Sequence, residues 1–275
     1  MIASYPDRFE KLLLNFKGSA PDNYIGQGNP GANILIIGKE TTTTEEPFVT
    51  FETFGNFSSW QKNQKDKVDF SDIPDWETAN LPLDEKYNPL FPYNSHRVGW
   101  SKTWDAYQRL INHLLPPDMT AKSGQQYNFW QYSFITELST NNMNYSRPNV
   151  KTAESVHTRL NGIFQQDFFQ RFPIIIFAVF RYKNWYDIDI EKCFNQVYVK
   201  PEDPKDSYDT HNGKIPEFIH KHINFVISED GKTEPHLLLH TNHFAMRSNK
   251  FIEAVANECK KFMDVYGISI LESAK

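Results

Sequence analysis

The chain has 275 residues, 39% of them hydrophobic and 15% aromatic, which is enough apolar material for one large or two small domains with a core that needs no staples. It contains no long apolar run that would cross a membrane and no basic-then-apolar leader at its start. Its two cysteines, Cys193 and Cys259, exclude a disulfide framework or a four-cysteine iron–sulfur or zinc site built from this chain alone and point to a reducing compartment. The formal net charge of −5 weakens a case for strong non-specific nucleic-acid binding but leaves room for a local basic surface.

In chain order, 6–17 has apolar positions at helical spacing and predicts an opening helix. "NILII" (33–37) is a short Ile-rich run, as expected of a strand buried on both faces of a parallel sheet. Residues 48–99 show no clear period and predict a long functional excursion or lid. The stretch 101–115 begins at Ser101 and places Trp104, Tyr107, Leu110, Ile111 and Leu114 on one face, which predicts a helix. Residues 132–138 predict a second strand, 152–172 a long amphipathic helix with a capping-box-like start, and "PIIIFAVF" (173–180) a third buried strand. Two β-like runs around Asp-Gly within 222–240 predict a hairpin, and 248–267 a closing helix that stops at Gly267. Alternating strands and helices with non-alternating strands predict a single α/β domain, a three-layer α/β/α sandwich with a mainly parallel central sheet.

Ligands of open α/β sheets bind outside the carboxyl ends of the strands. Those ends carry Gly38, Lys39 and Glu40, then Glu137 and Ser139, then Arg181 and Lys183, and finally His240, Asn242 and His243. One cleft therefore collects carboxylates and histidines. His236, His240 and His243 lie close in sequence with His220 and His222 upstream, but His240 and His243 point to opposite faces of an extended strand. No carboxylate or cysteine completes a recognised spacing nearby, so no metal site is expected.

Several stretches resemble the uracil-DNA glycosylase superfamily, whose sheet opens with a strand ending in GQDPY, GxNPG or GExPG and closes with HPSP or a relative. "YIGQGNPGANILIIGKETT" (24–42) is similar to the approach to the first motif, and "LLLHTNHFAMRSNKFIEAV" (237–255) to the second and its following helix. "VGWSKTWDAYQRLI" (98–111), "YSFITELSTNNMNYSRP" (132–148) and "FPIIIFAVF" (172–180) are similar to the segments between them. The resemblance covers most of the chain, with insertions near 58–90 and 190–220. Thr41 stands where the family has Pro, Phe244-Ala245 where it has Pro-Ser, and Glu137 where it commonly has a base-reading Asn.

The resemblance implies a DNA glycosylase acting on a flipped base. Glu40 falls at the position of the catalytic Asp or Asn, where a carboxylate opposes the charge of an oxocarbenium-like sugar or orients water. His243 would donate to the departing base. Gly38, Lys39, Phe51, Phe54, Glu137 and Asn242 would line the base pocket, with Phe51 or Phe54 stacking on the base. Arg181, Lys183, Arg247 and Lys250 would meet phosphates, with Phe244 or Met246 as an apolar wedge. An ionised Glu137 offers only acceptors and would repel O4 of uracil, so a modified or damaged base with N–H groups on its edge is expected. Structural alternatives stand beside these: Glu40 as a helix cap or partner of Lys39, Glu137 as an ion pair with Arg181, His243 as a core histidine, Met246 as a buried side chain, and the Phe48, Phe51, Phe54 and Phe57 spacing as packing. A non-catalytic protein of the same fold that binds nucleic acid or a nucleotide-like ligand is the alternative function. The expected partner is DNA, single strands included. No cofactor, membrane or iron–sulfur cluster is expected, and the protein is expected to be a cytoplasmic monomer.

Overall fold

The computed structural model describes residues 5–16, 24–39, 56–67, 102–123, 125, 127–140, 148–200, 209–210, 217–227, 231–245 and 247–270. The expectations placed on Glu40, Phe51, Phe54 and Met246 lie outside the described residues. The helices are α1 (Asp7–Asn15), α2 (Phe57–Asp66), α3 (Lys102–Leu114), α4 (Phe129–Tyr132), α5 (Val150–Asn161), α6 (Asp167–Gln170), α7 (Tyr182–Trp185), α8 (Ile190–Phe194) and α9 (Asn249–Tyr266). The strands are β1 (Gln27–Gly28), β2 (Ile34–Gly38), β3 (Phe134–Glu137), β4 (Ile174–Phe177), β5 (Val197–Tyr198), β6 (Asp209–Thr210), β7 (Glu217–Ile227) and β8 (Thr233–Thr241).

They form one mixed sheet in the order β1-β3-β2-β4-β8-β7-β5, with β6 paired beside β7. Its centre is parallel: β2 runs alongside β3 and β4, and β4 alongside β8. The flanks are antiparallel, since β1 pairs with β3 and β7 with β8. All four expected core strands are therefore present in one sheet. Their residues are apolar on both sides because each side is covered. Leu35, Ile37, Phe134, Ile175, Phe177 and Leu238 pack with α1, α2, α5, α6, α7 and α8. Ile34, Ile36, Ile135, Ile174, Ile176, Leu237 and Leu239 pack with α3, α4 and α9. Among the described residues, no helix is long and apolar enough to cross a membrane.

Four expectations about elements need correction. Part of the expected excursion, 57–66, is helix α2, and Trp60 is only 1% exposed, packed edge-on against Phe9 at 5.1 Å. Its apolar period was hidden because its other buried positions, Asn56 and Asn63, are polar. Asn56 Nδ2 and Trp60 Nε1 both donate to the Gly26 carbonyl, at 2.6 and 2.9 Å, which ties this helix to the Gly-rich lead-in of β2. The expected helix over 152–172 is broken into α5, a 3₁₀ turn at Ile163–Gln165, and α6, because Gly162 leaves helical geometry at φ −107°, ψ −97°. It begins earlier than expected, where the Asn149 side chain accepts from Thr152 N at 2.8 Å. The strand expected over 132–138 is shorter, since Tyr132 belongs to α4. Within the expected insertion 190–220, Ile190 and Phe194 of α8 are core residues.

The β7–β8 hairpin carries three buried histidines, His222, His236 and His240. Burial is the main reason that their pKa values fall, to about 4, 4 and 3. Lys183 and His220 add to the effect at His222 and His240, and Arg171 and Arg8 at His236. Each is neutral in the folded chain at pH 5, while in the unfolded chain it would be protonated below about 6.5. The folded pKa is the lower one, so the stability contribution is complete above pH 6.5 and is lost as pH falls toward 4 and 3. The urea midpoint should therefore drop between pH 7 and pH 5, by on the order of 1–2 kcal/mol of stability per histidine. His222→Gln and His240→Gln variants should lose part of that drop. A midpoint constant across this range would contradict neutral burial.

Candidate functional site

The carboxyl ends of β3, β2, β4 and β8 lie along one edge of the sheet because the strands are parallel and in register: Gly38 pairs with Glu137, Ile37 with Phe177, and Phe177 with His240. The ladder continues past the strands, with Leu138 N donating to Gly38 O at 2.9 Å and Ser139 N to Lys39 O at 2.8 Å. Glu137 points to the α3–α9 side of the sheet and lays its carboxylate across the end of β2. Gly38 is what allows this. A Cβ at Gly38 would stand 2.8 Å from Glu137 Cδ and 2.9 Å from Oε1, and closer still to Oε2. Such contacts demand displacement of the carboxylate.

On the same side lies Tyr107 of α3, its ring edge-on to Phe129 at 5.9 Å and to Phe244 at 5.8 Å. Burial, together with the charge of Glu137, raises the Tyr107 pKa well above 10, so the phenol keeps its proton at neutral pH. No residue pattern singles Tyr107 out, because it occupies an ordinary core position on the apolar stripe of α3.

His243 follows β8 and is half-buried. Burial, followed by the charges of Lys39 and Arg247, pushes its pKa down to about 3. Its Nδ1 accepts a long hydrogen bond from Ala245 N at 3.4 Å, which leaves the proton of the neutral ring on Nε2. The backbone of the loop is held as well, since Arg247 Nε donates to His243 O at 3.1 Å. Lys39 lies with its Nζ 5.3 Å from the Tyr182 ring. Glu137, His243, Lys39 and Arg247 thus share one end of the sheet.

Other expected site residues are placed differently. Phe244 is fully buried between Tyr107 and Phe251, so it is a core side chain and not an apolar wedge. Asn242 is also fully buried, and its Oδ1 accepts from Phe218 N at 2.7 Å, which fastens β7 to the end of β8. Arg181 is exposed and stacks over Phe180 at 5.1 Å, whereas half-buried Lys183 acts on His222 and His240. Lys250 is exposed in the first turn of α9. That turn begins at Ser248, whose Oγ accepts from Phe251 N and donates to Glu217 Oε2 at 3.0 Å.

The site also contains features without a sequence signal. Phe180, just beyond β4, holds φ at +54°, a left-handed conformation that costs a bulky residue energy and recurs at functional sites. Its N–H donates to Thr241 O at 3.0 Å and its carbonyl accepts from His240 Nε2 at 3.1 Å, which binds the ends of β4 and β8 together. Among the described residues, no group of three or more His, Cys, Asp or Glu side chains is placed to hold a metal.

Chemically, the rim combines a carboxylate, a neutral imidazole donor and two cations. Gly38→Ala should displace the Glu137 carboxylate at little cost to stability, since what the new methyl meets is the far end of a flexible side chain, and should retain the fold by circular dichroism. A crystal structure of the variant with the Glu137 carboxylate unmoved would show that it does not rest on Gly38. The imidazole resonances of His243 should stay in their neutral position from pH 8 to pH 5; a midpoint near 6.5 would mean that burial and the two cations do not act on it. No family model, curated protein or solved structure matches the chain.

Proposed function

We propose that this is a uracil-DNA glycosylase-like protein that cleaves the N-glycosidic bond of a flipped, damaged or modified base other than ordinary uracil. The observation that carries the reading is neutral His243 beside Lys39 and Arg247, at the same end of the sheet as the Glu137 carboxylate seated on Gly38. A departing base accumulates negative charge, which an Nε2–H donor and nearby cations stabilise in a site shielded from water. Glu40, the residue after Lys39, is assigned the role of opposing the sugar's positive charge or orienting water, from the family resemblance. Glu137 discriminates at the base edge, because a carboxylate accepts hydrogen bonds but donates none. The order β3-β2-β4 supports a ligand here, since a crevice opens where the strands on either side of β2 leave in opposite directions.

Burial of Phe244 favours a second reading, in which a base already unstacked, or a nucleotide, is held without cleavage. A screen of oligonucleotides carrying uracil, hypoxanthine, xanthine and modified cytosines or guanines separates the two. Release of a modified base should fall by on the order of 10²–10³ in His243→Ala and be abolished in Glu40→Gln. Uracil should be released at least about tenfold less well than the favoured base, with the gap narrowed in Glu137→Asn. Efficient uracil release by the unaltered protein would overturn the role of Glu137. Retained, salt-sensitive binding with no release of any base would establish the second reading.

A further inference from the structure

The Tyr107 hydroxyl is the feature of the site that the proposed chemistry leaves unused. The residue is 1% exposed, and the hydroxyl has no hydrogen-bond partner among the described residues. A buried phenol without a partner forgoes the hydrogen bonds that water would give it, and such groups in folded proteins call for an explanation. It is not an isolated defect. Tyr107 projects from α3 onto the sheet face toward which Glu137 turns, and its ring rests on Phe244, the residue after His243. The hydroxyl is near enough to Glu137 for the carboxylate's charge to oppose its ionisation, and the ring that carries it packs in the α3–α9 layer.

We propose that Tyr107 and Glu137 together read the edge of a 2-amino-6-oxopurine, that is, guanine or a guanine altered away from that edge. This rests on the base-handling reading above and names the substrate class of the same site. A carboxylate accepts two parallel hydrogen bonds, and a phenol beside it donates one. The matching edge must show two adjacent N–H donors followed by a carbonyl acceptor. Guanine does so through its 2-amino group, N1–H and O6. Hypoxanthine keeps N1–H and O6 but lacks one donor. Cytosine and adenine each offer an amino group beside a bare ring nitrogen, which would face the second carboxylate oxygen. Uracil offers one N–H between two carbonyls and fits worst. The phenol remains a donor at neutral pH because burial and the carboxylate's charge both oppose its ionisation. Changes on the imidazole side of guanine leave the recognised edge intact, whereas methylation at O6 removes N1–H and blocks the acceptor.

The test uses the full chain and thymine-only single-stranded oligonucleotides carrying one guanine, 8-oxoguanine, hypoxanthine, O6-methylguanine or uracil, with affinity read by fluorescence anisotropy. Guanine and 8-oxoguanine should bind about tenfold or more tightly than uracil and O6-methylguanine, with hypoxanthine between them. Tyr107→Phe should weaken guanine binding about tenfold and leave uracil binding unchanged. Its unfolding midpoint should be equal or higher, because the hydroxyl it removes has no partner among the described residues. A purely structural tyrosine would instead lower stability and leave base preference intact. Salt-sensitive binding with no preference among the five bases, or identical preferences in wild type and Tyr107→Phe, overturns the inference while the base-handling reading stands. No binding of any oligonucleotide overturns both.

Discussion

Arg159 lies at 0% exposure, and a guanidinium so far from water is tolerated only where its N–H groups are satisfied. Its Nη1 donates to Tyr24 O at 2.9 Å, its Nε to Glu137 O at 3.1 Å and its Nη2 to Thr136 Oγ1 at 3.2 Å. The cation also lies over the rings of Phe164 and Tyr24, at 5.3 and 5.9 Å. One side chain of α5 thereby joins the lead-in to β2 with the carboxyl end of β3, segments more than a hundred residues apart. Because Glu137's own carbonyl is one of the acceptors, the backbone that aims its carboxylate across Gly38 is held from the opposite face of the sheet.

The same end of the sheet is fastened repeatedly without use of the charged groups that the proposed chemistry needs. Asn242 fastens β7, Phe180 fastens β4 to β8, and Asn56 with Trp60 secures the loop before β2. Glu217 and Ser248 fasten the start of α9 to the start of β7. Fixed backbones at four strand ends leave the imidazole, carboxylate and lysine of the rim with settled positions, which is the condition for electrostatic stabilisation that requires no rearrangement. The left-handed Phe180 belongs to this set, since its strained backbone is held by bonds on both sides.

The two faces of the sheet divide the polar residues sharply. His222, His236 and His240 lie toward the Phe-rich layer, where burial keeps them neutral and His240 serves as a backbone tie. Glu137 and Tyr107 lie on the other face, and His243 stands beyond the strand end, within reach of the charges of Lys39 and Arg247. Strand alternation alone separates His240 from what faces the α3–α9 layer. That is why histidines close together in sequence serve different purposes.

The sequence by itself determined the central strands and their common direction. "ILII" (34–37) and "PIIIFAVF" (173–180) are apolar at every position, as a strand covered on both faces requires. It also implied that Gly38, Lys39, Glu137 and His243 would lie at one end of the sheet, because parallel strands present their carboxyl ends to the same edge. Tertiary structure alone decided which of them face one another and what lies above them. Phe244 became core and Asn242 a strut because the packing of α3 and α9 and the start of β7 required them there. Helix α2 was hidden because its buried face is largely asparagine, held by partners distant in the chain. Tyr107 reads as one more apolar-stripe residue, and Arg159 as one more surface cation of a helix. Their roles arise from long-range contacts, and local periodicity carries no record of a partner that is a hundred residues away.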